Sequence, residues 1–354
     1  MRSSRYRAAH DGGGTGAQMT RPATIHDVAR EAGVSTSTVS RLLDERLPPS
    51  RSATAERVRN AAQKLGYRRD VYASALRRQH TGTVGVLVPR LSDTVMAILF
   101  EEVARACAQR SGFAIVATTG DDPNAERSAA ESLLRQRVDG LILTTARLDD
   151  NFTADLRADE VPHVLALRTD GLSPSSTGDD ELGGYLATRH LLDLGHRTIG
   201  VVAGPTYASS AVGRVRGHRK ALLEAGHPID ERLIRASTFS IESGEDIARA
   251  LLSETPRPTA IFAVNDNTAI GVLAAAQSLA LTVPDDLSVV GYNDIPLSAR
   301  LPVPLTTVRV PLAQIADAAV DLLNPRPDDT TSTIHRIAAP TLIPRASTTR
   351  PSIT

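Results

Sequence analysis

The sequence predicts a small all-α front domain joined to a larger α/β core made of two similar parallel-sheet lobes. Three observations carry that reading. From Thr24 to Gly66 the apolar residues recur at helical spacing in short segments. Beyond residue 82 short β-branched runs alternate with helical stretches, the mark of right-handed βαβ units. That rhythm then occurs a second time, which divides the core into two lobes with a cleft between them. A chain of 354 residues suits this plan, at roughly 100–200 residues per domain.

Residues 1–22 hold Gly12, Gly13, Gly14 and Gly16, four arginines and almost no large apolar side chain, so they read as a disordered tail. The GGGTG run is not a phosphate loop, because no strand precedes it and no GK[ST] follows. The front domain is expected over residues 23–67. Its first helix carries Ile25, Val28, Ala29 and Ala32 at i, i+3, i+4, i+7, with Thr24 and Asp27 forming a capping box and Gly33 as its stop. A second helix opens at Ser35 and runs to about Leu43. A third, after DERLPPS, ends at Gly66 with Val58, Ala61, Ala62 and Leu65 inward. An arginine-rich bridge, residues 68–81, leads to the core at 82–350. There the expected strands are TVGVLVP (83–89), FAIVATT (113–119), DGLILTT (139–145), VPHVLAL (161–167), TIGVVAG (198–204), TAIFAVN (259–265) and LSVVGYN (287–293). Ligands of such sheets bind at the carboxyl ends of the strands, so the residues just after each run are the ones to inspect.

Charge separates the two parts. The chain is formally neutral, but residues 1–80 carry 15 Arg or Lys against 7 Asp or Glu, a balance of +8, and the rest carries −8. A basic front end points to nucleic acid. The arginine excess itself is compositional, since only Lys64 and Lys220 are lysine. Cys107 alone cannot form an internal disulfide or a cysteine zinc site, and the nine histidines show no metal-ligand spacing. No metal and no cofactor are expected. No G-x-S-x-G, P-loop or H-E-x-x-H appears, so nothing suggests an enzyme; Cys107, within EEVARACAQR, reads as a packed side chain. No apolar run reaches a membrane span and no signal peptide is evident, so a cytoplasmic location is expected.

On the second helix, GVSTSTVSR (33–41), Thr36, Ser37, Ser40, Arg41 and Asp44 fall within an arc of roughly 140°. Thr38, Val39, Leu42 and Leu43 fill another. One face packs and the other is free to enter a DNA groove, after a short turn containing Gly33, as a helix-turn-helix requires. Geometry alone leaves an ordinary polar surface helix equally open.

The residues themselves are more specific. ATIHDVAREAGVSTSTVSRLLD followed by a helix ending KLGY resembles the headpiece of the LacI/GalR family of transcriptional regulators. The resemblance implies that Thr24, Ser35 and Ser40 hold phosphates while Thr36, Ser37 and Arg41 read bases. It also implies a hinge from Tyr67 through Ala73 to Leu76, whose leucine wedges into the minor groove. Here Arg69 and Asp70 replace the family's proline and asparagine. A simple linker remains the other reading.

Similarity continues through LGHRTIGVVAGP, RPTAIFAVND, LSVVGYND, PLTTVRVP and TLIPRAST to the family's periplasmic-binding-protein-like core, covering about residues 23–350. It implies a sequence-specific repressor acting as a homodimer on a pseudo-palindromic operator, switched by a small effector, by default a carbohydrate. The implied effector residues are Asp93, Asp179, Arg214, Phe239, Asn265, Asp266 and Asn293. Arg214 is expected in a βα loop, with Asp93, Asp179 or Asp266 as its partner; for each residue the plainer alternative is a strand-end cap or a surface ion pair. The family's aromatic stacking pair after the first strand is missing, replaced by Asp93, Thr94, Val95 and Met96. A solute-binding protein would share the core but would have no use for GVSTSTVSR.

Overall fold

Thr24 opens the first helix. It forms a capping box with Asp27 over α1 (Ile25–Ala32), and Gly33, at φ 64°, closes the helix in the left-handed region. Ser35 caps α2 (Thr36–Leu42) by accepting from the Thr38 N–H. Ser52 does the same for α3 (Ala53–Lys64) through Ala55. Val28, Val39 and Val58 are fully buried at the centre of this three-helix unit, with Ala29, Ala32, Ala61 and Ala62 around them. The computed structural model describes residues 23–43, 50–67, 81–324 and 335–352. The expected tail (1–22), Asp44 and nearly all of the expected hinge, with Ala73 and Leu76, lie outside the described residues. The chain divides into two units, residues 1–78 and 79–354.

In the second unit the first sheet uses β1 (Thr83–Val88), β2 (Phe113–Thr118), β3 (Gly140–Leu143), β4 (His163–Ala166), β5 (Ser175–Gly178) and β11 (His335–Ala338), in the order β11-β5-β4-β3-β1-β2. All its pairings are parallel. Its helices are α4 (Thr94–Gln109), α5 (Pro123–Arg135), α6 (Phe152–Ala158) and α11 (Leu312–Leu323). β1, β3 and β4 are buried on both faces, as covered parallel strands must be.

The second sheet runs β12-β10-β9-β8-β6-β7, from β6 (Ile199–Ala203), β7 (Ile234–Ala236), β8 (Ala260–Ala263), β9 (Ser288–Asn293), β10 (Thr306–Arg309) and β12 (Thr341–Ile343). Its helices are α7 (Asp180–Leu194), α8 (Ser209–Glu224), α9 (Ile241–Leu252) and α10 (Asp266–Ser278). Here the expectation of parallel strands needs one correction, because β12 runs antiparallel to β10 along the edge.

Among the described residues the chain passes between lobes three times: after Gly178, after Arg309 and between Ala338 and Thr341. The first lobe is thus completed by α11 and β11 from the end of the chain. Ser176 donates to the Ile315 carbonyl at 2.9 Å, and Leu323 packs so close to Gly140 that a Cβ there would lie 2.7 Å from it. β5 escapes hydropathy reading because Ser175, Ser176 and Thr177 are buried without being apolar.

Candidate effector cleft and nucleic-acid interface

In the three-helix unit the packing decides which side chains are available. Val39 is 0% exposed and anchors α2, so Ser35, Ser37 and Arg41 emerge into solvent, with Thr36 and Ser40 half-buried. The Ser35 hydroxyl lies 2.8 Å from that of Ser37 and 2.9 Å from that of Thr38. Thr24 is half-buried, its hydroxyl donating to Asp27 at 2.7 Å. Tyr67 is half-buried against the core of this unit, and its N–H donates to the Ala62 carbonyl. Val39 thus packs and Ser37 and Arg41 face solvent as the helical spacing puts them, whereas Thr36 and Ser40 are as half-buried as Thr38, Leu42 and Leu43.

Between the lobes of the second unit lies a cleft that is partly open to solvent. Asp93, Arg214, Phe239, Asn265 and Asn293 line it. Asp93 stands after β1 as the N-cap of α4, accepting from the Val95 N–H at 2.9 Å. Burial pushes its carboxyl above the usual range, and the hydrogen bonds from Val95 and Met96 oppose this. Asn265 caps α10 and donates its Nδ2 to the Phe239 carbonyl at 3.0 Å, which fixes the loop that carries the ring. Phe239 fits because residue 204 is glycine, where a Cβ would come within 2.6 Å of the ring. Asn293 ends β9 at φ 104°, followed by Asp294 at φ 58°. Asparagine and aspartate tolerate this left-handed region better than most residues, and Asp294 is held there by Arg309 and Arg345 at 2.7 and 2.6 Å.

Arg214 lines the cleft, but from the second turn of α8 rather than from a loop. Its expected partners are also wrong. Nε donates to Asp180 Oδ1 at 2.8 Å and Nη1 to the Val264 carbonyl at 2.6 Å, with the Tyr292 ring 3.8 Å beneath the guanidinium. Burial opposes its charge, but the Asp180 carboxylate and Tyr292 outweigh that and hold Arg214 above the usual arginine range. The pair can form because α7 and α8 cross at glycines: a Cβ on Gly184 would lie 2.0 Å from the Arg214 carbonyl, and one on Gly217 1.9 Å from that of Glu181.

Two other expected residues do not reach the cavity. Asp179 is the N-cap of α7, accepting from the Leu182 N–H at 2.9 Å, because a helix start needs such an acceptor there. Asp266 is 1% exposed and turned inward. Its carboxylate accepts from Ile295 N–H, the Ser298 hydroxyl and the Thr307 hydroxyl, at 2.8, 2.8 and 2.6 Å, and so ties down the chain between β9 and β10. Burial raises its pKa to about 6 despite these three donors.

The cavity also has walls the sequence reading passed over. Arg168 follows β4, Asp121 follows β2, Arg90 follows β1 and Ser210 begins α8. The first three directly follow expected strands or their bounding residues, the positions marked for inspection. Val95 and Met96 give an apolar wall where a stacking aromatic was missed, and Phe239 supplies a ring from the opposite lobe.

A helix-turn-helix unit attached to a two-lobed parallel-sheet core with a polar cleft defines a ligand-responsive DNA-binding regulator. Residues 24–70 match the model for bacterial regulatory proteins of the lacI family, and residues 188–348 that for the periplasmic binding protein-like domain. The ribose operon repressor of Escherichia coli strain K12 is 36% identical over 325 residues, covering 90% of this chain and 94% of the repressor. The transcriptional repressor PurR of Klebsiella pneumoniae is 31% identical over 340 residues, covering 92% and 96%. The structure of the lac repressor dimer bound to operator and the anti-inducer ONPF superposes with a TM-score of 0.82 at 29% identity, covering 93% of this chain and all of that one. The chain belongs to the LacI family of transcriptional regulators.

Proposed function

We propose that this regulator represses transcription as a homodimer on a pseudo-palindromic operator and is switched by a carbohydrate in the interlobe cleft. The observation that carries the effector reading is the convergence of Arg214, Asn265, Asn293 and Asp93 with the Phe239 ring on one cavity. Amides, a carboxylate and a guanidinium match the donors and acceptors of a polyol, and the ring offers an apolar face. Relatives support the class: a LacI-family regulator from Enterococcus faecium was solved with bound ribose (26% identity, TM-score 0.67, covering 76% of this chain and 99% of that one). A further neighbour is the CelR–cellobiose complex, at 30% identity and TM-score 0.70, covering 92% and 100%.

On the DNA side, Ser37, Thr36 and Arg41 read bases while Ser35, Ser40 and Thr24 contact phosphates, with residues 23–67 as headpiece and 68–81 as hinge. Arg41 suits bidentate contact to guanine O6 and N7. Phe113 and Ile115, 69% and 39% exposed on the edge strand β2, supply an apolar edge suited to a second copy. The cytoplasm is the place for such an activity. Because the lobes meet at three crossing segments, a ligand gripping both lobes favours one lobe orientation, and that differential affinity is the switch.

Selection from random duplexes with the full chain, followed by titration of the selected site with and without a sugar panel, tests the proposal. A two-fold-related site whose affinity moves with one sugar is expected. Absence of sequence preference would overturn the DNA reading, and a preference untouched by every sugar would overturn the effector class.

A further inference from the structure

The cleft holds two buried arginines in unlike states. Arg214 has its guanidinium occupied by Asp180, Val264 and the Tyr292 face. Arg168 is only 5% exposed, yet among the described residues its one hydrogen bond runs from Nη1 to the Thr145 carbonyl at 3.4 Å. A guanidinium carries five N–H donors, so most of those on Arg168 are unspent, in a side chain that forms the cavity wall.

Counter-charge is equally short. The nearest carboxylate, Asp121, is 3.9 Å from Arg168 and also serves Arg90 at 3.4 Å. Asp93, the other acid on this wall, is engaged by the Val95 N–H. Glu126 is buried behind, hydrogen-bonded to the Thr145 hydroxyl, and burial pushes its carboxyl up toward the neutral form. Burial likewise lowers the pKa of Arg168, as expected of a cation lacking a close partner. From the opposite lobe the rings of Tyr207 and Phe239 flank the guanidinium at 5.7 and 5.6 Å. Rings can stabilise a cation but cannot take its in-plane donors. A guanidinium taken out of water needs acceptors for those donors, and paired anionic oxygens match its fork best.

We propose that Arg168 is the anion-binding residue of the effector cleft, and that the effector is an anionic carbohydrate whose carboxylate or phosphate oxygens take the spare donors of Arg168. This rests on the carbohydrate reading of the site and narrows it. The neutral part of the ligand is then left to Arg214, Asn265 and Asn293, and the charged part to the first lobe, so one molecule grips both lobes.

Calorimetry on the full chain with two matched trios tests this: D-ribose, D-ribonate and D-ribose 5-phosphate, then D-glucose, D-gluconate and D-glucose 6-phosphate. In at least one trio an anionic member should bind about tenfold or more tightly than its neutral parent, as charge-assisted bonds to a buried guanidinium allow. The tighter anion tells a sugar acid from a sugar phosphate. In Arg168→Gln that preference should collapse toward unity, and Arg168→Lys should restore part of it; thermal midpoints of both variants establish that they fold. A neutral sugar that binds as tightly as its anions would overturn the proposal and leave the carbohydrate reading standing. So would a preference for the anion that survives Arg168→Gln. Failure of all six compounds to bind would overturn both.

Discussion

Replacing Arg214 by alanine tests the centre of the cleft. The side chains of Arg214 and Asp180 are 8% and 12% exposed, and the pair is closed at 2.8 Å. Among the described residues, alanine would leave the buried Asp180 carboxylate with only the Tyr292 hydroxyl, at 3.4 Å, as a side-chain donor. Breaking a buried pair from one side costs about 3–5 kcal/mol, against about 0–1 for an exposed pair. At roughly 2–4 °C per kcal/mol for a domain of this order of size, the melting temperature should fall on the order of 10 °C. Urea titrations of Arg214→Ala, Asp180→Ala and the double variant form a cycle. The double variant should be less destabilised than the sum of the singles, by about 2 kcal/mol, because removing both charges leaves neither stranded. Operator titrations at a temperature where every variant is folded should show intact DNA binding and no effector response for Arg214→Ala. Additivity within about 0.5 kcal/mol, or an effector response at the wild-type concentration, would refute the reasoning.

Operator affinity should fall steeply and log-linearly with salt if the +8 front end releases counterions; a flat profile in binding titrations would rule that out. Arg41→Ala should cost about 1–3 kcal/mol and relax preference at one operator position, whereas Ser40→Ala should weaken all sites alike. Swapped outcomes would mean that α2 presents a different face. Gly217→Ala should force α7 and α8 apart, costing about 1–3 kcal/mol and blunting the effector response, since the added Cβ would sit 1.9 Å from a backbone oxygen; an unchanged melting curve would count against the close crossing. His218 is buried beside the Thr188 hydroxyl, and burial lowers its pKa to about 4. The unfolded chain, with an ordinary histidine near 6.5, binds that proton first, so this contribution to stability is present above about 6.5 and is lost as pH falls toward 4. Asp266, raised to about 6, works in the opposite direction over part of that range. The difference between wild type and His218→Gln in acid titrations therefore isolates the histidine, and identical curves would refute its burial as a neutral ring.

Periodicity made the α1–α3 unit readable because apolar residues recur at helical spacing within α1 (Ile25, Val28, Ala29, Ala32) and along α3 (Val58, Ala61, Ala62), and the caps are local. The strands buried on both faces were equally visible as β-branched runs. Strand β5 was not, since its buried Ser175 and Ser176 are satisfied by partners distant in sequence, His335 and Ile315. The cleft shows the same limit at the scale of one residue. Asp179 and Asp180 are adjacent and chemically alike, but one caps a helix and the other meets Arg214, a choice made by the glycine-lined crossing of α7 and α8. Asp266 follows Asn265, yet one turns under the sheet and the other faces the cavity. Arg168 stood at a strand end, where a ligand-binding residue belongs; its shortage of partners is a three-dimensional fact.

The late return of the chain to its first lobe bears on how the protein is made. Residues 81–178 emerge from the ribosome first, but the face that receives Ile315, Ala319 and Leu323 of α11, and the β5 edge that receives β11, wait until the whole of residues 180–309 has been synthesised. At roughly 5–20 residues per second that wait lasts about six to twenty-six seconds. During it the nascent first lobe exposes an apolar sheet face and an unpaired strand edge, the surfaces most prone to aggregate and most apt to engage chaperones. The second lobe, nearly contiguous in sequence, can close on its own schedule. A message truncated before residue 312 would therefore spare most of the later-made lobe and cripple the one that was translated first.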